Sequence, residues 1–365
     1  MNMNDPVLRL AADLIAFDSR STLSNLAIAE RIEQELKDFE VERLDYIDAN
    51  GIAKCVLVAH KGPKGGYALS GHMDTVPATG WESDPWKPRL DTEGMLHGLG
   101  SVDMKGQLAA AIIAARAAPA DVPATLLITT DEETTKAGAA RIARHSALVK
   151  SLNLQGIVVA EPTGLIPVRG HRSHIAFTAT ARGLQAHSST GKGKNANWKL
   201  LPFLLAMQRV HDELRSNPAL QDHDYDPPFS DFNLIVDNHG TAMNVTVAKA
   251  TAQIKFRYSA KVDPAPVLRA VREAATDAGI ELAEQHEGFP PELPAEHPLI
   301  ARAMRLTNHA ARTAPYGTDA SELQAIAPCV VLGPGDIARA HTPRECVLAQ
   351  DLLDAVPVFA RLLAA

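Results

Sequence analysis

Three short apolar, β-rich runs in the first 165 positions each stop at a histidine or an acid. YALSGHMD ends on His72 and Asp74, TLLITTD runs into Asp131, Glu132 and Glu133, and GIVVAEP ends on Glu161. A brief apolar run bounded by turn formers is the pattern of a strand buried on both faces. Two more strand-like runs, VERLDYI and IAKCVLVAH, precede them. Helical patterns fill the gaps. Asp5-Pro6 reads as N-cap and first-turn proline of a helix through about Ser19, and a second helix runs from about Ser24 to Phe39. An alanine-rich helix follows Gly106, and another spans Thr135 to Arg144. Apolar strands alternating with helices predict an α/β fold with a mixed, mainly parallel sheet covered by helices. Open sheets of this kind bind ligands beyond the carboxyl ends of their strands, which is where these acids fall.

After Gly170 the pattern changes to strand (HIAFTATARG), long helix (Asn197 to Arg215), two strands (DFNLIVDNHG and MNVTVAKATAQIKFRYSA), helix and strand (IELAEQHEG). The second helix has Asp263 as N-cap, Pro264 at its first position and Gly279 as its stop. The order βαββαβ is the ferredoxin-like split unit, which reads as an inserted α+β domain. Residues 170–288 are assigned to it; residues 1–169 and 289–365 form a discontinuous first domain. The resumed part contains a helix around Leu299 to Ala311, the strand APCVVLG and a last helix. Thr342-Pro343-Arg344-Glu345 has the form of a capping box, so that helix is expected to start immediately after His341.

A chain of 365 residues with 46% hydrophobic content has material for a large core, and a net charge of −7 gives no electrostatic reason to bind nucleic acid. Asp5, Arg9, Asp13 and Asp18 interrupt the N-terminal apolar positions, so neither a signal-peptide core nor a membrane span is expected there; the expectation is a cytoplasmic protein with no membrane partner. Three cysteines without Cys-x-x-Cys spacing speak against a disulfide framework, and Cys55 and Cys329 in strand-like runs read as buried thiols.

Taken singly, His72 reads as a core histidine, Asp103 as a helix N-cap, Asp131 to Glu133 as a solvated helix start and His341 as a helix-flanking surface residue. Glu161 resists such a reading, because a buried strand end seldom leaves a carboxylate unpaired. Together they supply two histidines and three or four carboxylates. That is enough imidazole and carboxylate for two zinc-type ions sharing one carboxylate ligand, with Asp74 able to orient the His72 imidazole.

The stretches SGHMDTVP, WESDPW, GLGSVDMKG, TTDEET, VAEPT, GLQAHSS and VLGPGDIARAHTPRE resemble the motifs of the acetylornithine deacetylase and succinyl-diaminopimelate desuccinylase family of metallo-amidohydrolases, with a zinc-exopeptidase-like fold. The resemblance spans the chain in order and leans to the acetylornithine or acetylcitrulline deacetylase branch. It implies one ion on His72, Asp103 and Glu161 and another on Asp103, Glu133 and His341, zinc or cobalt serving with such ligands. It further implies Asp74 as orienter, Glu132 as general base and His187 of the inserted domain as oxyanion donor. Arg172 and Arg257 match positions that hold a substrate carboxylate, and Asn244 a nearby hydrogen-bonding position. In the family the inserted domain is a lid that also dimerises, which implies a homodimer acting on a small N-acyl amino acid in arginine biosynthesis. Two departures, Ser173 where a glycine is common and Val245-Thr246-Val247 where V-I-P is familiar, lie outside the metal set.

Three other readings compete. A desuccinylase, dipeptidase or carboxypeptidase would use the same centre, since all these amides pass through one tetrahedral intermediate. A silent binding protein on this scaffold would have no reason to keep Glu132. A serine hydrolase lacks its G-x-S-x-G elbow, and Gly191-Lys192-Gly193-Lys194 lacks the spacing of a phosphate loop.

Overall fold

The computed structural model describes residues 3–364 and divides into two compact units. The first unit comprises residues up to Gly170, Pro291–Thr313 and Thr318 onward. Its main sheet has eight strands in the spatial order Glu40–Ile47, Ala53–Lys61, Ala124–Thr129, Tyr67–His72, Gly156–Val159, Cys329–Val331, Val168–His171 and Arg312–Ala314. The four from Ala124–Thr129 to Cys329–Val331 run parallel, and antiparallel partners flank them. Every residue of Tyr67–His72, Ala124–Thr129 and Gly156–Val159 is buried, which is why these runs are apolar without alternation.

Helices cover this sheet. Lys105–Ala117 is buried almost along its whole length and packs against both Pro6–Ile15 and Ala349–Leu363. Its small side chains, Ala109, Ala110, Ala111, Ala114 and Ala115, all fully enclosed, let those neighbours approach closely. Pro6–Ile15 starts as expected, with the Asp5 carboxylate accepting the Val7 N–H at 2.9 Å. It stops before Ser19, because Ser19 and Ser21 are drawn to the strand-end loop: the Ser19 hydroxyl donates to Met73 O at 2.6 Å and Thr75 N–H donates to Ser19 O.

The last helix departs from its expected start. It begins at Ala349, seven residues later than the capping-box pattern implied. Glu345 is buried and its carboxylate accepts the N–H groups of Val102 and Asp103 at 3.0 and 3.1 Å instead of capping its own helix. The apolar residues Cys346–Leu348 pair as a strand with Met95–His97. Burial of Cys346 and Val347 against that strand outweighs a solvent-exposed first turn.

The second unit comprises His171–Pro290 and Ala314–Gly317. Its chain order is strand Ser173–Arg182, helix Ala196–Ser216, strands Asp231–Asp237 and Lys249–Tyr258, helix Ala265–Asp277 and strand Glu281–His286. The antiparallel sheet has the order Asp231–Asp237, Lys249–Tyr258, Ser173–Arg182, Glu281–His286, the ferredoxin-like arrangement. Ser173–Arg182 alternates buried and partly exposed positions, and its Ile175, Phe177 and Ala179 pack with Phe203, Met207 and Val271 of the two helices. No helix among the described residues is long and apolar enough to cross a membrane.

Candidate metal centre

The parallel strands deliver the first ligand candidates by their length. Tyr67–His72 and Ala124–Thr129 run side by side in register, with His72 opposite Thr129, so the segments leaving both strands emerge together. Gly156–Val159 brings Glu161 to the same edge, and the turn before helix Lys105–Ala117 brings Asp103. His341 follows a short 3-10 turn, Ile337–Arg339.

Asp103 is the hub. Its Oδ1 is 3.2 Å from His72 Nε2 and its Oδ2 is 3.1 Å from His341 Nε2. One carboxylate thus presents a separate oxygen to each histidine. His341 Nε2 also lies 3.1 Å from Glu133 Oε2, and His72 Nε2 lies 3.7 Å from Glu161 Oε1. His72 Nδ1 faces Asp74, whose carbonyl oxygen is 3.0 Å away. That contact turns Nε2 toward Asp103. Asp74, fully buried, also accepts the Ser21 hydroxyl at 2.6 Å and the backbone N–H groups of Glu132 and Glu133. It therefore ties the His72 ring to the turn that carries both glutamates.

The turn is held from beneath. Asp131 has a left-handed backbone, φ 61°, rare for a residue with a side chain. The fully buried Lys54 ammonium donates to Asp131 Oδ1 at 2.8 Å and to Ser21 O at 2.6 Å, and the Tyr46 hydroxyl donates to Asp131 Oδ2 at 2.6 Å. Lys136 (φ 53°) and His341 (φ 59°) share the left-handed conformation, so three such residues gather around the same group.

Electrostatics show what this group lacks. Burial should depress the His72 imidazole, yet hydrogen bonds to Asp103 and Asp74 raise it well above its ordinary value. Hydrogen bonds to Asp103 and Glu133 push His341 up to about 11. Burial, then the charge of Asp103, pushes Glu133 up to about 7 and Glu161 well above the carboxylate range. Buried carboxylates in excess of cations are gathering protons onto neighbouring rings. A pair of divalent ions answers that imbalance, and imidazole nitrogen with carboxylate oxygen is the donor set for such ions. Among the described residues two groupings, both drawing on His72, have donor atoms close enough for an ion: His72, Asp103 and Glu133, and His72, Glu132 and Glu161.

The second unit places its candidates in two pairs. His187 and Asn244 lie on exposed loops joined by Ser188 N–H donating to Asn244 O at 2.9 Å, and a bridge pairs His187 with Val245. Ser189 N–H donates to His187 Nδ1, so in the neutral ring the proton resides on Nε2. Arg172 is buried, stacks over the Tyr225 ring and donates from Nη2 to Pro227 O, while its Nε finds no partner among the described residues. The charge of Arg257 acts on Arg172, and Arg257 donates from Nη1 to Asp231 at 2.6 Å.

The sequence reading passed over Ser21, Tyr46, Lys54, Lys136 and Glu345. Lys54 left a signal: a lysine inside the apolar run IAKCVLVAH demands a buried counter-charge. Ser21, Tyr46 and Glu345 meet partners more than fifty residues away, and Lys136 sits in an ordinary polar stretch beside the acids, so no local pattern marked them.

Residues 68–365 match the model of peptidase family M20/M25/M40. The chain belongs to this family. It is 30% identical to an acetylornithine deacetylase of Proteus mirabilis over 91% of this chain and 88% of that protein. It is equally identical to one of Myxococcus xanthus over 98% and 97%. Among solved structures it resembles the dipeptidase Dug1p of Saccharomyces cerevisiae, at 13% identity and TM-score 0.77 over 99% of this chain and 96% of that one. It also resembles a family M20 metallo-carboxypeptidase of Sulfolobus solfataricus, at 15% identity and TM-score 0.76 over 99% of both chains. Membership of the M20 family makes the protein a metal-dependent amide hydrolase, and the cluster of His72 with Asp103, Glu132, Glu133 and Glu161 is a candidate site for its divalent metal.

Proposed function

We propose that this M20 enzyme removes the acetyl group from an N-acetylated amino acid of the N-acetylornithine or N-acetylcitrulline type, a step of arginine biosynthesis in the cytoplasm. The observation that carries the chemistry is the Asp103 carboxylate with one oxygen toward each of two histidines. The substrate class is supported by acetylornithine deacetylases that match nearly end to end.

In this reading His72, Asp103 and Glu161 hold one ion, Asp103, Glu133 and His341 the other, and both are zinc. Bound there, the ions would supply Lewis acidity and a water acidified to near neutrality. Asp74 keeps the His72 ring in place by its contact with Nδ1. Glu132 accepts the proton of the attacking water and returns it to the departing amine. His187, with Nδ1 engaged by Ser189, offers Nε2–H to the developing oxyanion. The Arg172 Nε, without a partner among the described residues, with the charge of Arg257 acting on Arg172 and Asn244 hydrogen-bonded through its carbonyl to the His187 loop, supports reading these as the grip on the substrate carboxylate.

A homodimer through the second unit has support on its surface. Asp231–Asp237 is an edge strand with Leu234, Ile235 and Val236 exposed, and helix Ala196–Ser216 exposes Trp198, Leu201 and Leu205 at helical spacing.

The test is turnover of the zinc-reconstituted protein on N-acetylornithine, N-acetylcitrulline, N-succinyl-diaminopimelate and simple dipeptides, with Glu132→Gln alongside. Hydrolysis confined to the acetylated amino acids, and about 10² to 10⁴ slower in the variant, is expected. Preference for dipeptides or the succinyl compound overturns the substrate, and full activity of Glu132→Gln overturns the base.

A further inference from the structure

Glu132 stands between two partners. Its carboxylate is close enough to His72 and Glu161 for the three to share an ion. Yet its Oε1 lies 3.2 Å from Lys136 Nζ, with both side chains less than a tenth exposed. The base must stay off the metal to work, because a carboxylate bound to a cation is a weaker base and is held away from the proton it must take.

Lys136 is placed to decide this. Its backbone is left-handed, and its N–H donates to Asp131 O at 2.7 Å, so the residue curls back over the turn and its ammonium returns to a side chain four positions earlier. The turn cannot yield, since Lys54 and Tyr46 clamp Asp131 from the other side. A third carboxylate presses the same region. Asp319 is fully enclosed, takes the Thr129 hydroxyl on Oδ2 at 2.5 Å, and has an Oδ1 with no hydrogen-bond partner among the described residues. The charge of Glu132 acts on it. A buried carboxylate in such company needs a cation, and here the choice is between Lys136 and a metal ion.

We propose that Lys136 keeps Glu132 out of the metal coordination sphere, so that the residue remains a base instead of becoming a sixth protein ligand. The inference rests on the reading of Glu132 as base. Lys136 acts through Glu132 and is a positioning residue.

The decisive comparison is Co²⁺ titration of the full-length, metal-free protein as wild type, Lys136→Met, Lys136→Gln, Lys136→Arg and Lys136→Met/Glu132→Gln. Visible absorption reports coordination number and chelator competition reports affinity. Loss of the ammonium should tighten binding about 10-fold or more and weaken the visible bands as an extra ligand joins, while kcat falls about 10²-fold. Lys136→Arg should keep the wild-type spectrum, and the double variant should lose the gain in affinity. Lys136→Gln gives the same information where Lys136→Met does not fold. A wild-type spectrum and affinity in both uncharged variants, or weaker binding, overturns the inference whatever the activity. Full activity of Glu132→Gln overturns the base reading instead, whatever the spectrum.

Discussion

Single residues in this protein are fixed by charges that have nowhere else to go. Lys54 is the clearest case, a fully buried ammonium whose only ion-pair partner among the described residues is Asp131 at 2.8 Å. Removing one partner of a buried pair strands the other, which costs about 3 to 5 kcal/mol. Lys54→Met is therefore expected to lower the thermal unfolding midpoint by roughly 5 to 10 °C, with part recovered in Lys54→Met/Asp131→Asn. An unchanged midpoint in the single variant would show that the pair contributes nothing to the turn. The rings respond to the same logic with the opposite sign. In the metal-free protein His72 and His341 are held protonated by their carboxylates, and Glu133, pushed up to about 7, is largely protonated at pH 6. An incoming ion must displace these protons, so zinc affinity rises with pH between 6 and 8, by about ten-fold per unit for each proton displaced. Competition titrations at three pH values measure that slope. A flat profile would mean that the imidazoles are already neutral.

At the scale of elements, the strands were legible because burial on both faces leaves a continuous apolar run. Tyr67–His72 and Ala124–Thr129 end within a residue or two of the expected positions. The alternation of Ser173–Arg182 likewise announced a sheet with one covered face. Legibility failed where a polar group is recruited from far along the chain. Glu345 satisfies a capping pattern with Thr342 but serves the Asp103 backbone, 242 residues away, and no local rule contains that contact. The first helix ends early for a related reason, since Ser19 and Ser21 bind the loop after His72, more than fifty residues on. The candidate ligands could be located at strand ends, whereas the clamp beneath them, Tyr46 and Lys54 on Asp131, joins residues 85 and 77 positions apart.

At the scale of the molecule, two units of different architecture divide the candidate residues. The candidate metal ligands belong to the α/β unit, and His187, Arg172, Asn244 and Arg257 belong to the ferredoxin-like one. The proposed dimer follows from the second unit's exposed apolar rows. Ile235→Glu combined with Leu205→Glu is expected to halve the mass measured by light scattering, while a wild-type protein that is already monomeric would contradict the dimer. The account as a whole turns on Asp103 serving two ions at once. Anomalous diffraction at the zinc edge from a zinc-loaded crystal reads this directly. The prediction is two peaks about 3.5 to 4 Å apart with the Asp103 carboxylate between them, one beside His72 and one beside His341. A single peak, or two peaks that Asp103 does not bridge, would contradict it.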